Sequence, residues 1–231
     1  MIICVYALVF PAPTHLRLAG TEGERLRVIT VDRLSAIVGE LKRVPTPTIK
    51  NLRRYAAVIE AIASRVPAIL PARFATTVAE RDELAFILRS RGAALRQRLR
   101  AVRGRAQMTI RLVSESEPGD RTFPSRSRAT GRARARVERE ATHGTQYLQQ
   151  RIAIAARARA VDGFEPIRNA IRRFVKDERV EKRGDVVTVN HLVPRTAVSR
   201  YLTAVEHAAE EGTVRLSVSG PWAPYAFADN W

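Results

Sequence analysis

Apolar and aromatic residues run without a break from Met1 to Phe10 and stop at Pro11. The Ile, Val, Tyr and Phe content of this run predicts a β-strand, and the Pro- and Gly-bearing stretch 11–23 predicts an exposed loop. Leu26 to Val31 alternates and Leu34 to Val38 is mostly apolar, with Asp32 and Arg33 suited to a tight turn between two strands. After Pro45 and Pro47, Thr48 can cap a helix that runs to about Val66. There Leu52, Tyr55, Ala56, Ile59, Ile62 and Ala63 share one face, and Arg53, Arg54 and Glu60 face water. Leu70-Pro71-Ala72-Arg73-Phe74 predicts a strand with Pro at its start, where the missing N–H is tolerated at an edge or entry position. Arg73, flanked by apolar residues, is expected to be partly buried and matched to a carboxylate or to carbonyls. Leu84, Ile87, Leu88, Leu95 and Leu99 predict a helix from about Ala79 to Val102, weakened at Gly92 and stopped at Gly104, before a closing strand Met108–Val113.

The order β-β-β-α-β-α-β implies an α+β fold, a sheet packed on one face by two helices and compatible with a ferredoxin-like arrangement carrying an added strand. This N-terminal domain is expected to span 1–113. From 114 to 142 the composition turns to Ser, Pro, Gly and Arg, which predicts a linker. A smaller α+β domain is expected over 143–231, giving two domains in all. Its helix carries Phe164, Ile167, Ile171, Phe174 and Val175 opposite Arg168, Arg172, Arg173 and Lys176. Its sheet comes from Val186–Val193 and Thr213–Ser219, with a helix from about Thr196 to Glu210 between them.

A chain of 231 residues with 45% apolar content can fill a substantial core. The net charge of +17 comes almost wholly from arginine, since Lys42, Lys50, Lys176 and Lys182 are the only lysines. Such a surface attracts anionic partners and repels copies of itself, although a GC-rich codon bias gives the same composition. The opening apolar run is about half of the roughly 20 residues a membrane-spanning helix needs, and it lacks the preceding positive charge of a secretory leader. A cytoplasmic protein without membrane contact is therefore expected. Cys4, the only cysteine, reads as inert core packing. His15, His143, His191 and His207 are scattered, and no Gly-rich phosphate loop is present, so the sequence suggests neither metal nor cofactor. Glu80 and Glu83 fall in a first helical turn, where they favour the helix dipole, and nothing nominates a catalyst.

Two stretches stand out as partner surfaces. Arg126, Arg128, Arg132, Arg134 and Arg136, with Arg121 before them, form a block with no acid between Asp120 and Glu138. It reads as a solvated linker or as a docking strip for an acidic partner or nucleic acid. Only Phe123 is nearby for base stacking, which weakens the nucleic-acid version. Trp222, Tyr225 and Phe227 follow the Gly220-Pro221 step and flank Pro224, so the chain leaves a strand and lays rigid aromatic area on a surface. That surface is either its own, making a C-terminal latch, or a partner's.

Ile69-Leu70-Pro71-Ala72-Arg73-Phe74-Ala75-Thr76-Thr77-Val78 and Gly220-Pro221-Trp222-Ala223-Pro224-Tyr225-Ala226-Phe227, in this order, resemble the paired signatures of the gas vesicle GvpL/GvpF family. Members usually carry Gly where Ala75 stands and a second Pro where Ala223 stands. The likeness covers nearly the whole chain, and Leu70, Pro71, Arg73, Phe74, Gly220, Pro221, Trp222 and Pro224 are its structural signature. The resemblance implies a non-enzymatic protein of the gas vesicle. It would be a minor structural component or assembly factor that contacts the small hydrophobic shell protein and other accessory proteins. The competing expectation, from charge alone, is a basic nucleic-acid-binding protein using the arginine-rich linker.

Overall fold

The computed structural model describes residues 1–113, 164–210 and 215–228. Its elements form two antiparallel sheets with helices against them. The first sheet contains β1 (Ile2–Phe10), β2 (Leu26–Val31), β3 (Leu34–Leu41), β4 (Ala68–Pro71) and the short β5 (Thr77–Val78). Its order is β2-β3-β1-β4, with β5 also pairing β1. That is the strand order of a ferredoxin-like sheet, and as in such a sheet β1 and β3 run antiparallel; the difference is that a loop, not a helix, connects β1 to β2.

Both faces of this sheet are covered, where helices on one face alone were expected. Cys4, Tyr6, Val9, Ile37, Leu41 and Ile69 pack with Tyr55, Ile59 and Ile62 of α1 (Ile49–Ala63). On the other side Val5, Leu8, Leu34, Ala36, Val38, Ala68 and Leu70 meet α2 (Arg81–Ser90) and α3 (Gly92–Val102). The unbroken apolar run of β1 reflects this: a strand buried on both sides has no polar face to alternate with. Thr48 caps α1 as predicted, its Oγ1 accepting from Asn51 N at 3.2 Å. The single helix expected over 79–102 breaks at Arg91 (φ −107, ψ 8) into α2 and α3. Glu83 closes the start of α2 by accepting from Ala79 N at 2.7 Å.

Strand β6 (Arg105–Val113) does not close the first sheet as expected. It lies inside the second, between β8 (Val186–Pro194) and β9 (Leu216–Trp222), with β7 (Asp177–Arg183) beyond β8. Met108, Ile110, Leu112, Val187, Val189 and Val193 point toward α4 (Phe164–Ile171) and α5 (Val198–Glu210). The opposite face carries Gln107, Thr109, Asn190 and Leu192, all buried. The linker predicted over 114–142 lies outside the described residues.

Candidate functional site

The C-terminal signature begins where β9 leaves its sheet. Gly220 has φ +121, and a Cβ there would sit 2.7 Å from the Gln107 carbonyl oxygen and 3.0 Å from Met108 Sδ. Only glycine fits so close to the neighbouring strand at that dihedral. Trp222 ends β9 opposite Gln107, and the chain continues through buried Ala223 and Pro224 into a 3₁₀ turn, Tyr225–Phe227.

Three polar groups hold this tail from three elements. Glu60 of α1 accepts from Ala223 N at 3.2 Å, Gln107 of β6 accepts from Ala226 N at 2.8 Å, and Arg98 of α3 donates to the Ala228 carbonyl at 3.3 Å. Gln107 is itself fixed by a buried cluster, its Nε2 donating to Asn190 Oδ1 at 3.0 Å beside Thr109 Oγ1, which donates to the same oxygen at 2.8 Å. Ala223 joins the core on the α1 side of the first sheet, and Phe227 and Ala228 join the core on the α2–α3 side. The tail therefore passes around the β4 edge and is a latch on its own fold.

The three aromatics divide between two tasks. Phe227 is 4% exposed and lies under the Arg179 guanidinium, 5.3 Å from its ring centre, so it faces no partner. Trp222 and Tyr225 keep 44% and 38% of their surfaces open. Burial of the Tyr225 hydroxyl, and secondly the charge of Glu60, raise its pKa, which places that end of the ring beside α1. Ile49, Leu52 and Ala56 are exposed on the same helix at spacings that lead to Glu60, with Ile49 72% and Leu52 44% open. Leu52 and Ala56 were expected in the core, but the stripe that meets the sheet is Tyr55, Ile59, Ile62 and Ala63.

The first signature is structural. Strand β4 ends at Pro71, on the sheet edge, and does not continue to Phe74. Tyr55 Oη donates to the Ala72 carbonyl at 2.7 Å, and the Phe74 ring meets the Tyr55 ring edge-on at 5.4 Å. Arg73, expected to be partly buried and paired, is exposed, because the chain turns after Ala72 and points it outward. Ala75 follows at φ 63, the left-handed conformation that glycine adopts most easily. Arg126, Arg128, Arg132, Arg134 and Arg136, with Phe123, lie outside the described residues.

Sequence reasoning missed a charged network in the second half. His191 is wholly buried, its Nε2 3.0 Å from Glu178 Oε2 and its Nδ1 2.7 Å from the Tyr201 hydroxyl. A carboxylate can only accept, so Nε2 carries the hydrogen, and in the neutral ring Nδ1 accepts from Tyr201. Arg168 Nη2 donates to Glu178 Oε1 at 2.7 Å and its Nε to Oε2 at 3.4 Å. Burial alone would raise the Glu178 pKa, but hydrogen bonds from His191 and Arg168 outweigh it and hold the carboxyl at about 2. With Tyr201 and His191 sealed inside, the network ties α4, β7, β8 and α5 together. Cys4 is equally closed off, its thiol pushed up to about 12 by burial and then by Glu24.

Residues 3–229 match the family described as gas vesicle synthesis protein GvpL/GvpF. The chain belongs to this family. Its fold is similar to the crystal structure of gas vesicle protein GvpF from Microcystis aeruginosa, with a TM-score of 0.71 at 15% identity over 99% of both chains. It is similar also to the crystal structure of GvpF from Anabaena sp. PCC7120, with a TM-score of 0.72 at 17% identity over 100% of this chain and 97% of that one. No curated protein matches the sequence. At these identities the solved structures establish the mixed α+β fold, and the family match establishes a gas vesicle synthesis protein. Among the described residues no helix is long and apolar enough to cross a membrane, and no cluster of His, Cys, Asp and Glu could hold a metal ion.

Proposed function

We propose that this member of the GvpL/GvpF family is an accessory or minor structural protein of the cytoplasmic gas vesicle. In this reading it binds the small hydrophobic shell protein, and other accessory proteins, during nucleation and assembly. The observation that carries the reading is the family match over residues 3–229, joined to an exposed apolar strip on a strongly basic molecule. A shell subunit that is apolar and prone to aggregate needs a carrier that covers apolar surface while keeping the complex charged and dispersed. Trp222 and Tyr225, with Ile49 and Leu52 of α1, supply the apolar contact. The excess arginines supply solubility and attraction for acidic neighbours.

Deleting the tail is a poor test, because Ala223, Phe227 and Ala228 belong to the core. The better variant is Trp222→Ser with Tyr225→Ser, which leaves the latch in place. Co-purification with the shell protein should fall at least about tenfold, the loss of one aromatic anchor or more, while the melting temperature changes little. Equal recovery from wild type and the double variant would reject this surface.

A further inference from the structure

A second concave surface, formed where the end of β1, the β2–β3 turn and α3 meet, takes no part in the contacts described above. The cavity holds about 500 Å³ and is lined by Phe10, Asp32, Arg33, Arg96, Leu99 and Arg100. Sites for small ligands and cofactors fall in the range of about 300–1,000 Å³.

Its chemistry is one-sided. Three guanidinium groups line it against one carboxylate, Asp32. That carboxylate is drawn toward Arg89 of α2, whose Nε lies 3.7 Å from Asp32 Oδ2. Among the described residues neither Arg33 nor Arg100 is matched to a carboxylate. The turn holds Asp32 and Arg33 at φ 46 and φ 67, and Arg96 reaches back to the Asp32 carbonyl at 3.5 Å, so two of the cations come from elements fixed to each other. Beside the charges stand Phe10, 39% exposed at the end of an otherwise buried strand, and the buried side chain of Leu99. A single carboxylate would neutralise one of these cations and leave the aromatic wall unused. An anion with several charges close together and a flat apolar part uses both features. Guanidinium forks match phosphate oxygens, and a nucleobase lies readily on a phenyl face.

We propose that this cavity binds a nucleoside di- or triphosphate, with the phosphates held by Arg33, Arg96 and Arg100 and the base laid on Phe10. The net charge of +17 draws any polyanion to this protein, so the test must separate the site from the general field. ATP, inorganic tripolyphosphate and adenosine are titrated into the full chain by calorimetry, at low and at physiological ionic strength. ATP should bind more tightly than tripolyphosphate, and adenosine only weakly. Arg33→Glu with Arg100→Glu should weaken ATP by at least about tenfold, as expected for lost charge-assisted hydrogen bonds. Arg53→Glu with Arg54→Glu, the same change of net charge on the exposed surface of α1, should leave ATP binding within about twofold of wild type once salt screens the general field. Phe10→Leu keeps an apolar side chain but removes the ring, and should bring ATP down to the tripolyphosphate affinity without altering the latter. Thermal melts confirm that each variant is folded. ATP binding no tighter than tripolyphosphate, an equal loss in the control pair, or indifference to Phe10→Leu would each overturn the proposal.

Discussion

Glu178 shows how one residue can carry an unusual share of stability. It accepts from Arg168 through both oxygens and from buried His191, and its folded pKa of about 2 lies below the ordinary carboxylate value of 4.5. A depressed value means that the folded state favours the charged form. Its contribution is therefore complete above about pH 4.5 and is lost as pH falls toward 2. Glu178→Gln should cost about 3 kcal/mol at neutral pH, measured by urea unfolding, because it removes a half-buried charge that His191 and Arg168 both bond and leaves Arg168 only Glu165, 3.1 Å away at the surface. The gap between wild type and variant should then close between pH 4.5 and 2. A gap that stays constant on acidification would show that the carboxylate charge is not what stabilises the network. None of this was legible in the sequence. A lone His in the alternating run Val186–Val193 and a Glu in a charged stretch 13 positions away give no signal that they touch, because strand register decides it.

Elements were legible where packing imposes a period and obscure where it does not. The double-faced burial of β1 produced an apolar run, and α1 produced a stripe with a Thr cap, so both were readable. Strand β7, Asp-Glu-Arg-Val-Glu-Lys-Arg, has no alternation to read, since it is an edge strand and charges there guard an exposed ladder. The membership of β6 in the second sheet was equally hidden, because Met108–Val113 has the same pattern whichever sheet receives it. The turn between β4 and β5 shows the opposite case, a local signal with a clear physical meaning. Ala75 stands at φ 63, a conformation that costs a residue with a Cβ about 1 kcal/mol, and it occupies the position where family members usually have Gly. Ala75→Gly removes that strain at the expense of a more flexible unfolded chain. A gain of up to about 1 kcal/mol is expected, seen as a higher melting temperature. A lower one would mean that the Ala75 methyl makes packing contacts worth more than the strain.

At the scale of the molecule, the tail makes the two sheets share one core. Leu192 of β8 and Phe227 and Ala228 of the tail lie in the same apolar cluster as Val5, Leu8, Leu70 and Leu99 of the first sheet and its helices. Arg195 adds a polar tie, its Nη2 donating to the Ala63 carbonyl at 3.0 Å. A shared core makes unfolding cooperative, since neither half can open without exposing the other's apolar surface. The wild-type protein should then lose far-UV circular dichroism and tryptophan fluorescence in one coincident urea transition. Phe227→Ala deletes the ring that fills the joint and should cost about 3–5 kcal/mol, the usual range for a buried aromatic. It should also separate the two transitions, because what remains between the sheets is largely polar and solvent can enter. A variant that stays coincident after a loss of less than about 1 kcal/mol would mean that strand β6, Leu192, the rest of the tail and the Arg195 contact unite the two halves without the ring.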